Sequence, residues 1–187
     1  MARKVPGTVA PYEGKPECTW CTGKDVGILE SDCFNSCVGM VLYDMKHKIG
    51  VVAHFSGSMG DNLLQAQNDV IEILKDVTPI SPGLWKGWVF GGISLVDKYD
   101  MRDTVKRYTI PLMDTVRNTL RTNRYVPVNL PLLARQLATP RQLFSMKPNT
   151  KYKAPEMNLL KPENYESHYG VKLNLASGTV QWIERKL

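Results

Sequence analysis

The chain has 187 residues, 43% of them hydrophobic and 22% charged, with a formal net charge of +6. That length and composition allow a buried core without crosslinks and exclude an intrinsically disordered chain. No apolar run approaches the ~20 residues that a membrane-spanning helix needs, so membrane insertion is not expected.

Behind Arg3 and Lys4 there is no apolar stretch of the ~7–15 residues found in a secretory signal, and the sequence reads as cytoplasmic. Cys18, Cys21, Cys33 and Cys37 are therefore expected as thiols, metal ligands or a nucleophile rather than as a disulfide framework. From Val38 to Phe55, two apolar runs flank the polar Asp44–Lys48 segment, which is the pattern of a β-hairpin. Both runs are too apolar for a half-exposed sheet and should be covered on both faces. Over Asp61–Lys75, the residues Leu63, Leu64, Gln67, Val70, Ile71 and Leu74 recur at helical spacing, with Asp61 as the expected cap.

Trp85–Leu95 is apolar around Gly91-Gly92 and reads as a buried strand. Met101–Tyr108 is expected to form a helical turn. A second helix follows, with Leu112, Met113, Val116 and Leu120 as its inner stripe and Pro111 at its first position. A short strand over Tyr125–Leu130 leads into a long proline-punctuated excursion at about 132–164, a length of irregular chain that is usually functional. Val171–Leu175 and Val180–Ile183, joined through Gly178, make a terminal hairpin. Strand pairs near both ends with helices between them imply an α+β fold in one domain spanning 1–187, its sheets covered by helices.

The bases of the second half interleave with Asp100, Asp103 and Asp114, which argues for a solvated face over a nucleic-acid surface. The chemistry concentrates earlier. Cys37 stands where a small, polar stretch turns into a strand, and His54 closes the second arm of the hairpin that Cys37 opens. Antiparallel pairing brings the ends of such arms together, so a thiol and an imidazole 17 residues apart become candidate nucleophile and base.

The runs Ser31–Cys37, Val38-Gly39-Met40-Val41-Leu42-Tyr43-Asp44 and Lys48-Ile49-Gly50-Val51-Val52-Ala53-His54 resemble the signature of the CheD family, the chemoreceptor glutamine deamidases. In that family a Gly-Ser-Cys-Val opens a strand ending in Tyr-Asp, and an Ala-His follows at this separation. Val89-Phe90-Gly91-Gly92 and the Tyr169-Gly170…Gly178-Thr179-Val180 hairpin are similar as well. The resemblance implies an α+β sandwich shared with the cytotoxic necrotizing factor toxins. It also implies a cysteine amide hydrolase that converts glutamine side chains of a partner protein to glutamate and ammonia, without metal or cofactor.

Carried onto this chain, Cys37 is the nucleophile, His54 the base and Ser31, at the place of a family threonine, the hydroxyl that orients the imidazole. Backbone N–H groups around Asn35, Ser36 and Cys37 would hold the oxyanion. Asn35 replaces the family's glycine, Phe55-Ser56-Gly57 replaces its apolar, proline-containing segment, and the 132–164 insertion has no family counterpart. The substrate protein is a chemoreceptor by family default, and the insertion is where a regulatory or assembly partner would bind.

Other readings compete. The same fold could serve as a non-catalytic structural or interaction module whose insertion binds a partner or a neighbouring subunit. Four cysteines could hold zinc, although the spacing of Cys18/Cys21 and Cys33/Cys37 is poor, and Cys18-Thr19-Trp20-Cys21 has the spacing of a thiol oxidoreductase. Two ordinary thiols near the substrate mouth fit better. Cys33 is expected as a buried neighbour and His47 and His168 as exposed polar residues, and the four tryptophans are expected to be core or interface anchors.

Overall fold

A computed structural model of the chain describes residues 2–6, 17–31, 34, 37–81, 83–91, 105–129 and 167–186. In chain order these form β1 (Arg3–Lys4), β2 (Cys18–Lys24), β3 (Ile28–Ser31), β4 (Val38–Asp44), β5 (Ile49–Phe55), a 3-10 turn (Gly57–Asp61) and α1 (Leu63–Val77). After them come β6 (Trp85–Gly91), a widened helical turn (Val105–Thr109) running into α2 (Ile110–Thr122), β7 (Val128–Asn129), β8 (Ser167–Asn174) and β9 (Val180–Lys186). The strands make two sheets, one of six in the order β1-β2-β5-β4-β6-β7 and one of three in the order β3-β8-β9.

Strand geometry sends alternate side chains to opposite faces, and the large sheet uses both. Val38, Met40 and Leu42 of β4 and Ile49, Val51, Ala53 and Phe55 of β5 join α1 and α2 in one core. Val41 and Tyr43 of β4 and Val52 of β5 join Leu29, Val171 and Leu173 of the small sheet, and Leu175 just beyond β8, in a second. The result is a helix layer, a central sheet and an outer sheet. This is a mixed α+β architecture, and it explains why every residue of β4 and β5 is buried, as their apolar composition predicts.

The two layers are tied to one another at Tyr43, whose hydroxyl donates to the Leu175 carbonyl at 2.7 Å. Gly178 lies directly against that tyrosine ring at a φ of 70°, so the turn between β8 and β9 needs glycine both for its backbone and for the close approach.

Several expected elements shift. Asp61 ends the 3-10 turn, and the side chain of Asn62 caps α1 by accepting from the Gln65 N–H at 3.1 Å. The inner stripe of α1 is Ala66, Asp69, Val70, Ile73, Leu74 and Val77, with Leu64 and Gln67 facing out. Pro111 takes the second helical position, where its missing N–H is equally harmless, and Leu112, Met113, Val116 and Leu120 point inward as expected. Of the strand expected at Tyr125–Leu130, Val128–Asn129 pairs in parallel with β6, Tyr125–Pro127 lie outside it, and Leu130 lies outside the described residues. The 132–164 segment and Gly92–Leu95 lie outside the described residues.

No helix among the described residues is long and apolar enough to cross a membrane.

Candidate active site

The sheet register builds the site. β4 and β5 pair antiparallel with Gly39 opposite His54 and Val38 opposite Phe55, while β2 places Thr19 on the other side of His54. Cys37 precedes Val38, so it is two residues from the position facing His54 on the same side of the sheet. Such diagonal neighbours lie about 7–8 Å apart, within side-chain reach. Both side chains belong to the layer between the two sheets, since Cys37 packs, half-buried, against the cluster that contains Phe34, Phe90 and Val171.

His54 is 1% exposed. Its Nδ1 lies 3.0 Å from the Ser31 Oγ, supplied by the last residue of β3 across the gap between the sheets. Its Nε2 is buried with no hydrogen-bond partner among the described residues. The imidazole face is stacked on the Phe34 ring, with centroids 4.4 Å apart and planes 16° from parallel, and Phe34 meets Phe90 edge-on at 4.9 Å. Gly39 makes room for both rings, which crowd the position a β-carbon would take.

Burial pushes the His54 imidazole down from the usual 6.5 to about 3. The ring is therefore neutral across the physiological range and can accept a proton. Its folded-state value lies below the unfolded one, so between these values the unfolded chain binds a proton that the folded chain refuses. Stability from this residue is complete above about pH 6.5 and falls as the pH drops toward about 3. Urea titrations across that interval should show a decline that flattens in His54→Gln; an identical decline in the variant would assign the acid sensitivity elsewhere.

Of the residues expected at the site, Ser31 and His54 are hydrogen-bonded, and Cys37 lies diagonal to His54 in the register at the same end of the inter-sheet layer. Asn35 and Ser36 lie outside the described residues, as does Cys33. Phe34, Phe90, Gly39 and Thr19 were not anticipated. Phe34 falls in an irregular stretch without periodicity, and no local pattern signals that its ring reaches the histidine.

Cys18 and Cys21 correct the expectation of thiols near a substrate mouth. Three residues apart on one strand, they point to opposite faces, Cys18 into the helix-side core and Cys21 into the inter-sheet core. No metal or disulfide can use both. Burial pushes the Cys18 thiol well up and the Cys21 thiol to about 12, which makes both poor nucleophiles. Among the described residues no cluster of three or more His, Cys, Asp or Glu is placed to hold a metal ion.

His47 is also more than an exposed turn residue. Its Nδ1 lies 2.6 Å from Asp44 Oδ2 and 2.9 Å from Ser81 Oγ, and the Ser81 hydroxyl itself donates to Asp44. The three residue types match a serine-hydrolase triad, but the arrangement does not. A triad puts the carboxylate and the hydroxyl on different ring nitrogens, whereas here both meet Nδ1. The cluster fastens the β4–β5 turn to the segment before β6.

No protein-family model matches the chain. Over 53 residues it is 42% identical to the uncharacterized protein R721 of Acanthamoeba polyphaga mimivirus, an overlap of 28% of this chain and 19% of that protein. The matched stretch thus spans about a fifth of the length of the curated relative.

Proposed function

We propose that the chain is a CheD-like cysteine amide hydrolase that deamidates glutamine side chains of a partner protein. The observation that carries this reading is the imidazole of His54, held at Nδ1 by Ser31, its Nε2 without a hydrogen-bond partner among the described residues, on the same sheet face and strand end as Cys37. Fully buried polar atoms are normally satisfied, so a ring nitrogen without a partner among the described residues, one diagonal register step from a cysteine, fits a group kept for proton transfer.

In this reading the Nδ1–H of His54 donates to Ser31, which leaves the lone pair on Nε2. That atom takes the thiol proton as the Cys37 sulfur attacks the carboxamide carbon, forming the C–S bond. The tetrahedral intermediate collapses when Nε2 returns the proton to the nitrogen, the C–N bond breaks and ammonia leaves. Water, giving its proton to Nε2, then cleaves the thioester to glutamate and restores the thiol. The balance is carboxamide plus water to carboxylate plus ammonium, so no redox partner or metal enters. A serine hydroxyl stabilises an imidazolium less than a carboxylate would, which agrees with the low basicity of this ring.

The substrate is a protein, with a chemoreceptor as the family's own example, and the 132–164 segment is the region in which recognition would depart from that family.

The test uses a glutamine mimic, a short peptide carrying diazo-oxonorleucine in place of glutamine. Its diazo carbon must be protonated before a sulfur displaces nitrogen gas, so it reports a coupled acid and nucleophile. Peptide mapping should locate the adduct on Cys37, with Cys18 and Cys21 untouched and His54→Ala unlabelled. Labelling of any other cysteine, or of Cys37 equally well without His54, would overturn the assignment.

A further inference from the structure

We propose that Phe34 is a positioning residue that keeps the Cys37–His54 pair in its neutral, latent form until substrate binds; this rests on the reading of that pair as nucleophile and base. Three contacts define the ring. It lies flat on the His54 imidazole at 4.4 Å and 16°, it is braced edge-on by Phe90 at 4.9 Å, and it fits because position 39 is glycine. Phe34 is itself fully buried. With Ser31 on Nδ1 and Phe34 across one face, the imidazole has a fixed orientation, and its remaining polar atom, Nε2, is buried with no hydrogen-bond partner among the described residues.

Among the described residues no charged side chain hydrogen-bonds the ring, and desolvation is what shifts it. Besides Cys37, the titratable groups among the described residues nearby are Cys21, farther along β2 on the same face, and Glu17 at the entry to β2. Glu30 points to the other side of β3 from Ser31 and pairs with Lys172 at 3.5 Å. β6 presents Phe90 and Trp88 to this layer. An apolar ring against an imidazole whose hydrogen-bond partner among the described residues is a hydroxyl, not a carboxylate, excludes the water an imidazolium needs, so the ion pair of thiolate and imidazolium found in constitutively reactive cysteine enzymes is disfavoured here. The pair then rests as thiol and imidazole, and the proton moves only when an oxyanion forms to compensate it. An enzyme built this way is sheltered from oxidation and alkylation between substrates, because the thiolate is the reactive species.

Two measurements on the full chain test this, with Phe34→Ala and with Phe34→Leu, which keeps an apolar side chain of similar bulk should the alanine variant fail to fold. The first is the NMR titration of the His54 ring. Removing the aromatic face should move its midpoint upward toward the ordinary histidine range near about 6.5, more in alanine than in leucine. The second is the rate of Cys37 alkylation by iodoacetamide against pH. The wild type should give a single rise as the thiol titrates. The Phe34 variants should gain a shoulder between about pH 5 and 7, about tenfold or more above the wild type there, which disappears when His54→Ala is added.

A merely structural phenylalanine would change stability and leave both profiles in place; unchanged profiles in a folded variant overturn the proposal. If the profiles shift but the diazo-oxonorleucine peptide labels nothing, the role of Phe34 stands as a control on the imidazole while the deamidase reading falls. The two failures are therefore separable.

Discussion

Cys37→Ala and His54→Ala should each reduce ammonia release from a glutamine-rich protein probe, such as unfolded casein, by about a thousandfold or more, because each removes a group that acts in every step. Ser31→Ala should fall between them and the wild type, losing about tenfold to a hundredfold, since the imidazole keeps its stacked face but loses the bond that sets its tautomer. Ser31→Thr retains a hydroxyl at the same reach and should keep most of the activity. This ordering separates a catalytic set from a polar cluster that merely shares a core. If all three alanine variants released ammonia at the wild-type rate, the hydrolase reading would fail and the non-catalytic module would replace it. Stability should follow a different order: Cys37 is half-buried and its truncation is mild, whereas His54 is enclosed and stacked.

The largest loss of stability is expected at the far end of the same strand. The Asp44 carboxylate is buried and accepts from the Lys46 N–H at 2.8 Å, the His47 N–H at 3.3 Å, the His47 ring at 2.6 Å and the Ser81 hydroxyl. Asp44→Ala removes the acceptor for all of them and leaves the fully buried Ser81 hydroxyl only the His47 ring nitrogen to donate to, a loss of about 3–5 kcal/mol, comparable to breaking a buried pair from one side. Asp44→Asn keeps one acceptor oxygen but turns an amide toward the imidazole, and should cost about half as much. Urea midpoints at unchanged slope are the measurement; a shift of less than about 1 kcal/mol for the alanine variant would mean that the cluster contributes no more than surface polarity does. The Asp44 end of β4 lies about 20 Å from Cys37 by strand rise, so diazo-oxonorleucine labelling of the folded Asp44 variants should be unaltered.

The β4–β5 hairpin, the two helices and the terminal hairpin were all legible in the chain, because each carries its own period and its own turn residues. β2 was not. Cys18–Lys24 holds two cysteines and a glycine in seven residues, a composition that reads as thiol chemistry, and only its pairing with β5 over seven consecutive residues reveals an interior strand of the sheet. β3 is four residues long and is stabilised by β8, some 140 residues later, which no local window can register. The stripe of α1 was drawn one position off because Leu64 looks like a core residue by type, yet packing against β4 and β5 sets the rotation of the helix and leaves it outside.

By itself, the sequence determined the chemistry available: one cysteine before a strand, one histidine at the end of the next, a hydroxyl six residues upstream of the cysteine, and hairpin spacing that makes the first two neighbours. Only the tertiary structure decided the state of that chemistry. The bond from Ser31 to His54 crosses from one sheet to the other, and the stack of Phe34 on the imidazole depends on a glycine of β4 and a phenylalanine of β6. The same alternation sent Cys18 and Cys21 into separate cores, where neither can serve as a partner or a ligand for the other. Desolvation, ring contact and facing direction are properties of groups brought together from distant parts of the chain, and so they exist only once the two sheets have closed over one another.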